Sequence, residues 1–278
     1  MTDPHSFTDV SADAVTAYAH DGVVCLRNVF SSDLIDLTAR GIERNIACPG
    51  QFFRDQTPEG SPGRYMFEYW AWPGIPEFAE LINASPAASI AGRLMGAQSA
   101  TLIMDNWFVK EAGAANGAPW HHDLPYFDFH GPMCNVWFPL EDAGSQEGLS
   151  FVRGSHVWPK TFKPMDFREH TPFDGDMTDY ADMPDIDAQK DKYDFLSWDV
   201  AAGDCLVFDL KTVHGAGAGR APLDNTIRRM SLRFAAEDTI FQPRGTWTEE
   251  TAEHLVGLGL KPGGPLNCEL LPTLWRAD

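Results

Sequence analysis

The segment Ala118-Pro-Trp-His-His-Asp-Leu-Pro-Tyr126 places two imidazoles and a carboxylate at consecutive positions. On an extended backbone, residues two apart share a face, so His121 and Asp123 are expected to reach one metal ion. His122 turns to the opposite face and reads as a packing residue. A third donor has to come from elsewhere. His214 is the candidate: it follows the apolar run 205–208 and opens into a glycine-rich turn, 93 positions after His121. Two imidazoles and one carboxylate on one side of an ion form the facial triad of non-haem Fe(II) oxygenases, which leaves the other side of the metal open. The triplet alone carries little weight, because about one His-x-Asp is expected by chance in a chain of this composition. Its context carries more: β-like runs flank it, and a second strand ends in His-Gly.

A dicarboxylate cosubstrate would need a basic partner. In Ile227-Arg-Arg-Met-Ser-Leu-Arg-Phe234, strand parity puts Arg229, Ser231 and Arg233 on one face and Arg228, Met230, Leu232 and Phe234 on the other. A guanidinium fork on the polar, inward face can hold a carboxylate through two parallel hydrogen bonds. Arg229 is assigned this role, with Ser231 beside it and Arg228 as the alternative. Tyr126 and Phe127 fall where the mouth of a pocket is expected. Together with Arg153 and Trp158 they are candidate substrate contacts. Trp107 and Trp120 read as core aromatics, and His156 as a turn residue.

These side chains need a frame. Helical spacing covers residues 11–20, with Ser11 as cap, and 32–46, with Ser32 as cap; a third helical stretch over 75–96 breaks near Pro86. A short strand, 23–26, follows the first helix. From residue 100 short β-like runs recur at 101–109, 133–140, 149–152, 204–210 and 229–235, which suggests a sandwich or barrel. The expectation is one domain over 1–278, helical over 1–99 and β-rich over 100–278. The stretch 157–197 holds ten Asp/Glu against five Lys/Arg and is read as a lid inserted into the β-rich part.

Composition narrows the partners. The 278 residues include 40 Asp+Glu against 21 Lys+Arg, a net charge of −19. Such a surface repels nucleic acid and anionic membranes, and the acidic lid favours a neutral or cationic small molecule. The five cysteines are odd in number and contain no Cys-x-x-Cys. They are read as small buried hydrophobes of a reducing cytoplasm rather than as disulfides or a zinc site. No apolar run approaches the length of a bilayer span, and residues 1–9 do not read as a signal peptide. Oligomeric state is not legible.

The chain also resembles the phytanoyl-CoA dioxygenase family of Fe(II)/2-oxoglutarate oxygenases. The resemblance rests on Ala19-His-Asp-Gly-Val-Val-Cys-Leu-Arg27, Trp107-Phe-Val-Lys-Glu-Ala-Gly113, Pro119-Trp-His-His-Asp123, Gly154-Ser-His156, Gly203-Asp204 and His214-Gly215, in that order. It implies a mainly β fold, a double-stranded β-helix (jelly-roll, cupin-like) core with N-terminal helices packed on one face. It implies Fe(II) held by His121, Asp123 and His214, with 2-oxoglutarate and O2 as cosubstrates. Arg229 would meet the far carboxylate of 2-oxoglutarate, with Asn106 and Trp137 as neighbours, and Lys110 matches a further family position, read here as a substrate contact. The implied reaction is hydroxylation of an unactivated C–H bond of a small molecule, releasing succinate and CO2. Two departures bear on the substrate: Arg153 replaces the family's usual proline, and Glu147-Gly148 its Asn-Gly. The alternative is a cupin-like isomerase, hydrolase or thiol dioxygenase that uses the same ligands without 2-oxoglutarate.

Overall fold

The computed structural model describes residues 9–114, 117–145, 148–167, 171–215 and 223–277. Glu147 and most of the glycine-rich turn after His214 lie outside them.

Five helices and thirteen strands alternate along the described chain. They run α1 (Ala12–Asp21), β1 (Val23–Leu26), α2 (Ser32–Ala47), β2 (Arg54–Asp55), β3 (Tyr65–Tyr69), α3 (Pro76–Ala84), α4 (Ala87–Met95) and β4 (Ser99–Lys110). There follow β5 (Phe129–His130), β6 (Met133–Pro139), β7 (Ser150–Val152), β8 (Phe195–Leu196), β9 (Cys205–Asp209), β10 (His214–Gly215), β11 (Ile227–Ala235), β12 (Ile240–Phe241), α5 (Glu249–Gly257) and β13 (Thr273–Arg276). The larger sheet has the order β1-β9-β6-β11-β4-β3-β2, with β13 on β4; a smaller sheet is β10-β7-β8, and β12 pairs β5. All these pairings are antiparallel. The molecule is thus mainly β, a jelly-roll of two facing sheets with helices on one side.

The two-residue period of a strand sorts the side chains of the larger sheet. Val24, Leu26, Trp107, Val109, Val136, Phe138, Val207, Met230, Leu232 and Phe234 face α1–α4 and form the main core. Trp107 is fully buried, and its indole N–H donates to Asn45 Oδ1 at 2.6 Å. The opposite face looks towards the smaller sheet, where Trp137, Leu206 and Phe208 meet Phe151.

Several boundaries differ from the expectations. Ser31, not Ser32, caps α2, its hydroxyl accepting from Leu34 N–H. The strand at 23–26 forms as expected, and β2 and β3, which were not expected, also join the larger sheet within residues 1–99. Tyr65–Tyr69 escaped notice because Met66 and Glu68 blur the polar–apolar alternation. Of the cysteines only Cys134 and Cys205 are buried, and Cys48 is exposed at the end of α2.

Two turns brace the region around the site. Gly22 ends α1 at φ +79°, where a Cβ would lie 2.6 Å from Thr212 Oγ1. Thr212 Oγ1–H donates to the Gly22 carbonyl at 2.8 Å, so the end of α1 buttresses the turn leading to His214. Asp105 holds the chain after β3, where Trp70 takes φ +55°. Its Oδ2 accepts from Ala71 and Trp72 N–H at 3.2 and 3.0 Å, while Oδ1 has no partner among the described residues.

Among its described residues, the excursion 157–197 packs on the smaller sheet at one cluster. Phe162 and Ile186 bury against Val152 and Val213, with Trp120, Trp158, Tyr193 and Phe195 around them. Two contacts tie it to the His-His-Asp segment. Phe162 N–H donates to His122 Nε2 at 2.9 Å, and Tyr126 OH both accepts from Met165 N–H (2.8 Å) and donates to Met165 O (3.0 Å).

Two tests follow from this frame. Burial raises the Asp105 carboxyl to about 7, so the folded state penalises its ionisation. That penalty is absent below about pH 4, where the unfolded chain is protonated too, grows as pH rises, and levels off above about 7. Asp105→Asn should therefore stabilise the protein more at pH 8 than at pH 4.5, by about 3 kcal/mol, read as Tm against wild type; a pH-independent difference would contradict this. Tyr126→Phe removes both hydrogen bonds to Met165, at a cost of about 1–2 kcal/mol, and limited proteolysis should cut within 157–197 faster than in wild type.

Candidate metal centre

His121 and His214 are joined before their side chains meet. His121 N–H donates to His214 O at 2.9 Å and His214 N–H to His121 O at 2.7 Å, a reciprocal pair that brings distant positions of the chain side by side. Asp123 differs from expectation. It is not extended but helical (φ −71°, ψ −28°) and leads into a short 3-10 turn, Leu124–Tyr126, set by Pro125. The turn still aims the carboxylate back at His121.

The three side chains are buried, and their donor atoms lie within 4.8 Å of one another. Asp123 Oδ1 is 3.5 Å from His121 Nε2 and 3.7 Å from His214 Nε2. Each ring's Nδ1 is 2.8 Å from a backbone carbonyl, Pro119 O for His121 and Thr212 O for His214. A carbonyl only accepts, so each Nδ1 carries the proton and each Nε2 offers its lone pair. Burial, then the neighbouring His121, pushes His214 down to about 3, which keeps it neutral. Burial would raise the Asp123 carboxyl, but Arg233, His121 and His214 outweigh it and hold it well below the usual carboxylate range. Two imidazoles tied through Nδ1 to carbonyls and an ionised carboxylate are the donor set a ferrous ion takes, and the residues fit that ion. Aromatic rings wall the pair: Phe151 and Phe208 lie against His214, and Phe167 stands edge-on to His121 at 4.7 Å.

The polar face of β11 reaches the same place. Arg233 Nε donates to Asp123 Oδ2 at 3.2 Å, and its guanidinium lies 4.8 Å over the Phe127 ring. Asn135, on β6, directs Nδ2 to Asp123 Oδ2 (3.5 Å) and Ser231 Oγ (3.3 Å). Neither Arg233 nor Asn135 was singled out by sequence reasoning, although parity had already placed Arg233 on the inward face. Asn106 donates to Glu68 O at 2.8 Å and lies 3.5 Å from Arg233 Nη1. Ser231 is in register with both Trp137 and Asn106. Arg229 is buried four residues from Arg233, 5.6 Å over the Trp137 ring, with Nη1 donating to Arg228 O at 2.9 Å and lying 3.5 Å from Glu141 Oε2. Arg228 points the other way, to Glu141 Oε1 (2.6 Å) and to Glu43 on α2, which separates it from the inward face.

The remaining candidates scatter. Tyr126 stacks on Phe167 beside His121. Phe127 is buried beneath Arg233 rather than standing at a pocket mouth. Lys110 ends β4 with its ammonium 4.7 Å over the Tyr65 ring. Arg153 is drawn to Asp21 and Asp194, and Trp158 packs on Phe162 and Tyr193; the structure does not bring either to the triad. His122 faces away from the ligands, as expected, and burial pushes it down to about 4. His156 reaches the Ala19 carbonyl, in keeping with a turn role.

No curated protein matches the chain significantly. Solved structures do. The non-haem alpha ketoglutarate dependent epimerase SnoN from nogalamycin biosynthesis is 23% identical at a TM-score of 0.74, over 95% of this chain and 98% of its own; it has also been seen in complex with Fe3+, alpha ketoglutarate and nogalamycin RO. The carbocyclase SnoK of the same biosynthesis is 20% identical at 0.73, over 95% and 96%. EctD from S. alaskensis is 17% identical at 0.65, over 88% and 86%. At these identities the likeness is one of fold. The pattern of the phytanoyl-CoA dioxygenase (PhyH) family, however, matches residues 18–224, well over half of the chain, and the chain belongs to that family.

Proposed function

We propose that this protein is an Fe(II)- and 2-oxoglutarate-dependent dioxygenase that hydroxylates an unactivated C–H bond of a small molecule, releasing succinate and CO2. The observation that carries this reading is the convergence of His121, Asp123 and His214, with both Nδ1 atoms tied to carbonyls and both Nε2 atoms turned to Asp123 Oδ1. These three residues would hold the iron. When bound, the metal supplies oxygen activation coupled to decarboxylation of 2-oxoglutarate.

The chain's own residues do the rest. Arg229 offers its guanidinium to the far carboxylate of 2-oxoglutarate, with Ser231, Trp137 and Asn106 lining the same inward face. Glu141 and the Arg228 carbonyl orient that guanidinium. Phe167, from the excursion, stands against His121 and would exclude water from that edge of the site, which protects a reactive oxidant. Asp123 itself favours hydroxylation over halogenation, since related halogenases carry a small residue in place of the carboxylate so that chloride can bind. The substrate is read as neutral or cationic, on the ten Asp/Glu against five Lys/Arg in 157–197. A second outcome has a specific observation in its favour: the similar structures include a carbocyclase and an epimerase, so ring closure or epimerisation starting from the same hydrogen removal is the competing reading.

Anaerobic titration separates this proposal from a cupin-like enzyme that needs no 2-oxoglutarate. Fe(II)-loaded protein should develop a weak visible charge-transfer band as 2-oxoglutarate is added, and its absence would sink the proposal. Arg229→Ala should weaken 2-oxoglutarate binding about 10–100-fold, the loss of a paired charge-assisted contact, while leaving Fe(II) binding near wild type. His121→Ala and Asp123→Ala should each abolish Fe(II) binding and succinate release together; turnover retained in either would refute the ligand assignment.

A further inference from the structure

We infer that Arg233 is a positioning residue that keeps one oxygen of Asp123 away from the metal, so that the carboxylate binds iron through Oδ1 alone and leaves a coordination position for the cosubstrates. The inference rests on the triad being an iron site, as proposed above.

The two oxygens of Asp123 have different surroundings. Oδ1 faces both imidazole Nε2 atoms, at 3.5 and 3.7 Å. Oδ2 faces the Arg233 Nε donor at 3.2 Å and Asn135 Nδ2 at 3.5 Å. Both side chains of the ion pair are buried, where a charge-assisted hydrogen bond is stronger than a neutral one. Arg233 is also held from its other sides. Its backbone lies in the middle of the larger sheet, paired with Asn135 and Met104, its guanidinium lies over Phe127, and Nη1 lies 3.5 Å from Asn106 Oδ1. Turning Oδ2 onto a metal as well would compete with its bonds to Arg233 and Asn135.

This has a chemical consequence. A carboxylate can bind a metal through one oxygen or two. With two imidazoles and one carboxylate oxygen, an octahedral ion keeps three positions, enough for a chelating keto acid and O2. With the second carboxylate oxygen bound, one of those positions is lost. Arg233 therefore supports cosubstrate binding rather than metal affinity. It does so from the strand that carries Arg229, the residue proposed for the other end of the same cosubstrate.

The test uses the full chain with Co(II) as metal probe, followed by calorimetry with 2-oxoglutarate and by visible ligand-field spectra. Arg233→Met should bind Co(II) within about threefold of wild type, show a ligand-field spectrum altered before any 2-oxoglutarate is added, and bind 2-oxoglutarate at least about tenfold more weakly, the scale of a lost metal-supporting contact. Arg233→Gln, which keeps an N–H donor, should fall between the two, and it carries the same comparison if the methionine variant does not fold. Identical Co(II) spectra in wild type and variant would overturn the inference, as would a parallel loss of Co(II) and 2-oxoglutarate affinity. A wild type that binds Co(II) but not 2-oxoglutarate would defeat the proposed function, and the metal-only spectra would still decide the role of Arg233.

Discussion

Everything at the site depends on how β11 is divided. Met230, Leu232 and Phe234 face the helices and help form the main core, while Arg229, Ser231 and Arg233 face inward, all buried. Two buried guanidiniums on one face of one strand are tolerated only if each meets an anion, because an unpaired buried charge is strongly destabilising. Arg233 meets Asp123, and Arg229 lies near Glu141. The hydrophobic demand of the helical layer thus fixes the register of the strand. Register in turn creates a cationic inner wall, and that wall keeps a buried carboxylate ionised. Asp123 is ionised for this structural reason as much as for a chemical one.

The histidines answer a different constraint. An imidazole is a metal ligand only when neutral and held in the right tautomer. Backbone carbonyls of Pro119 and Thr212, each two residues before its histidine, take the Nδ1 protons. The reciprocal main-chain bonds between His121 and His214 set the spacing of the two rings before any metal is considered. Gly22 and Thr212 extend this control to the end of α1, so the first helix also contributes to the placement of a ligand far along the chain.

Period and composition made much of this legible. Parity alone put Arg229, Ser231 and Arg233 on one face, and the caps and breaks of α1, α3 and α4 stand where Ser11, Gly22 and Pro86 place them. The triad could be assembled from His-x-Asp and a distant His-Gly. What stayed hidden depends on contacts between remote positions. Parity says which way Arg233 faces but not that it meets Asp123, a partner 110 positions away. Arg153 looked available for substrate because Asp21 and Asp194, which hold it, are remote in sequence. Asp123 could not be read as helical, since the local turn owes its shape to Pro125 and to the Leu124 N–H bonding Leu210 O.

The segment 118–126 has a second task that its chemistry conceals. His121 and Asp123 turn to the metal side, while His122 and Tyr126 hold the excursion 157–197 through Phe162 and Met165. The same short stretch of backbone therefore carries two members of the candidate metal site and the contacts to the excursion. Phe167 closes the loop by resting its ring edge-on to His121 and face-on to Tyr126. Contacts from the excursion thus reach the His121 ring through residues adjacent in sequence rather than through a long path. The shared segment is short, and the 3-10 turn Leu124–Tyr126, with Pro125 fixing its backbone, sets the angle between its two sets of contacts.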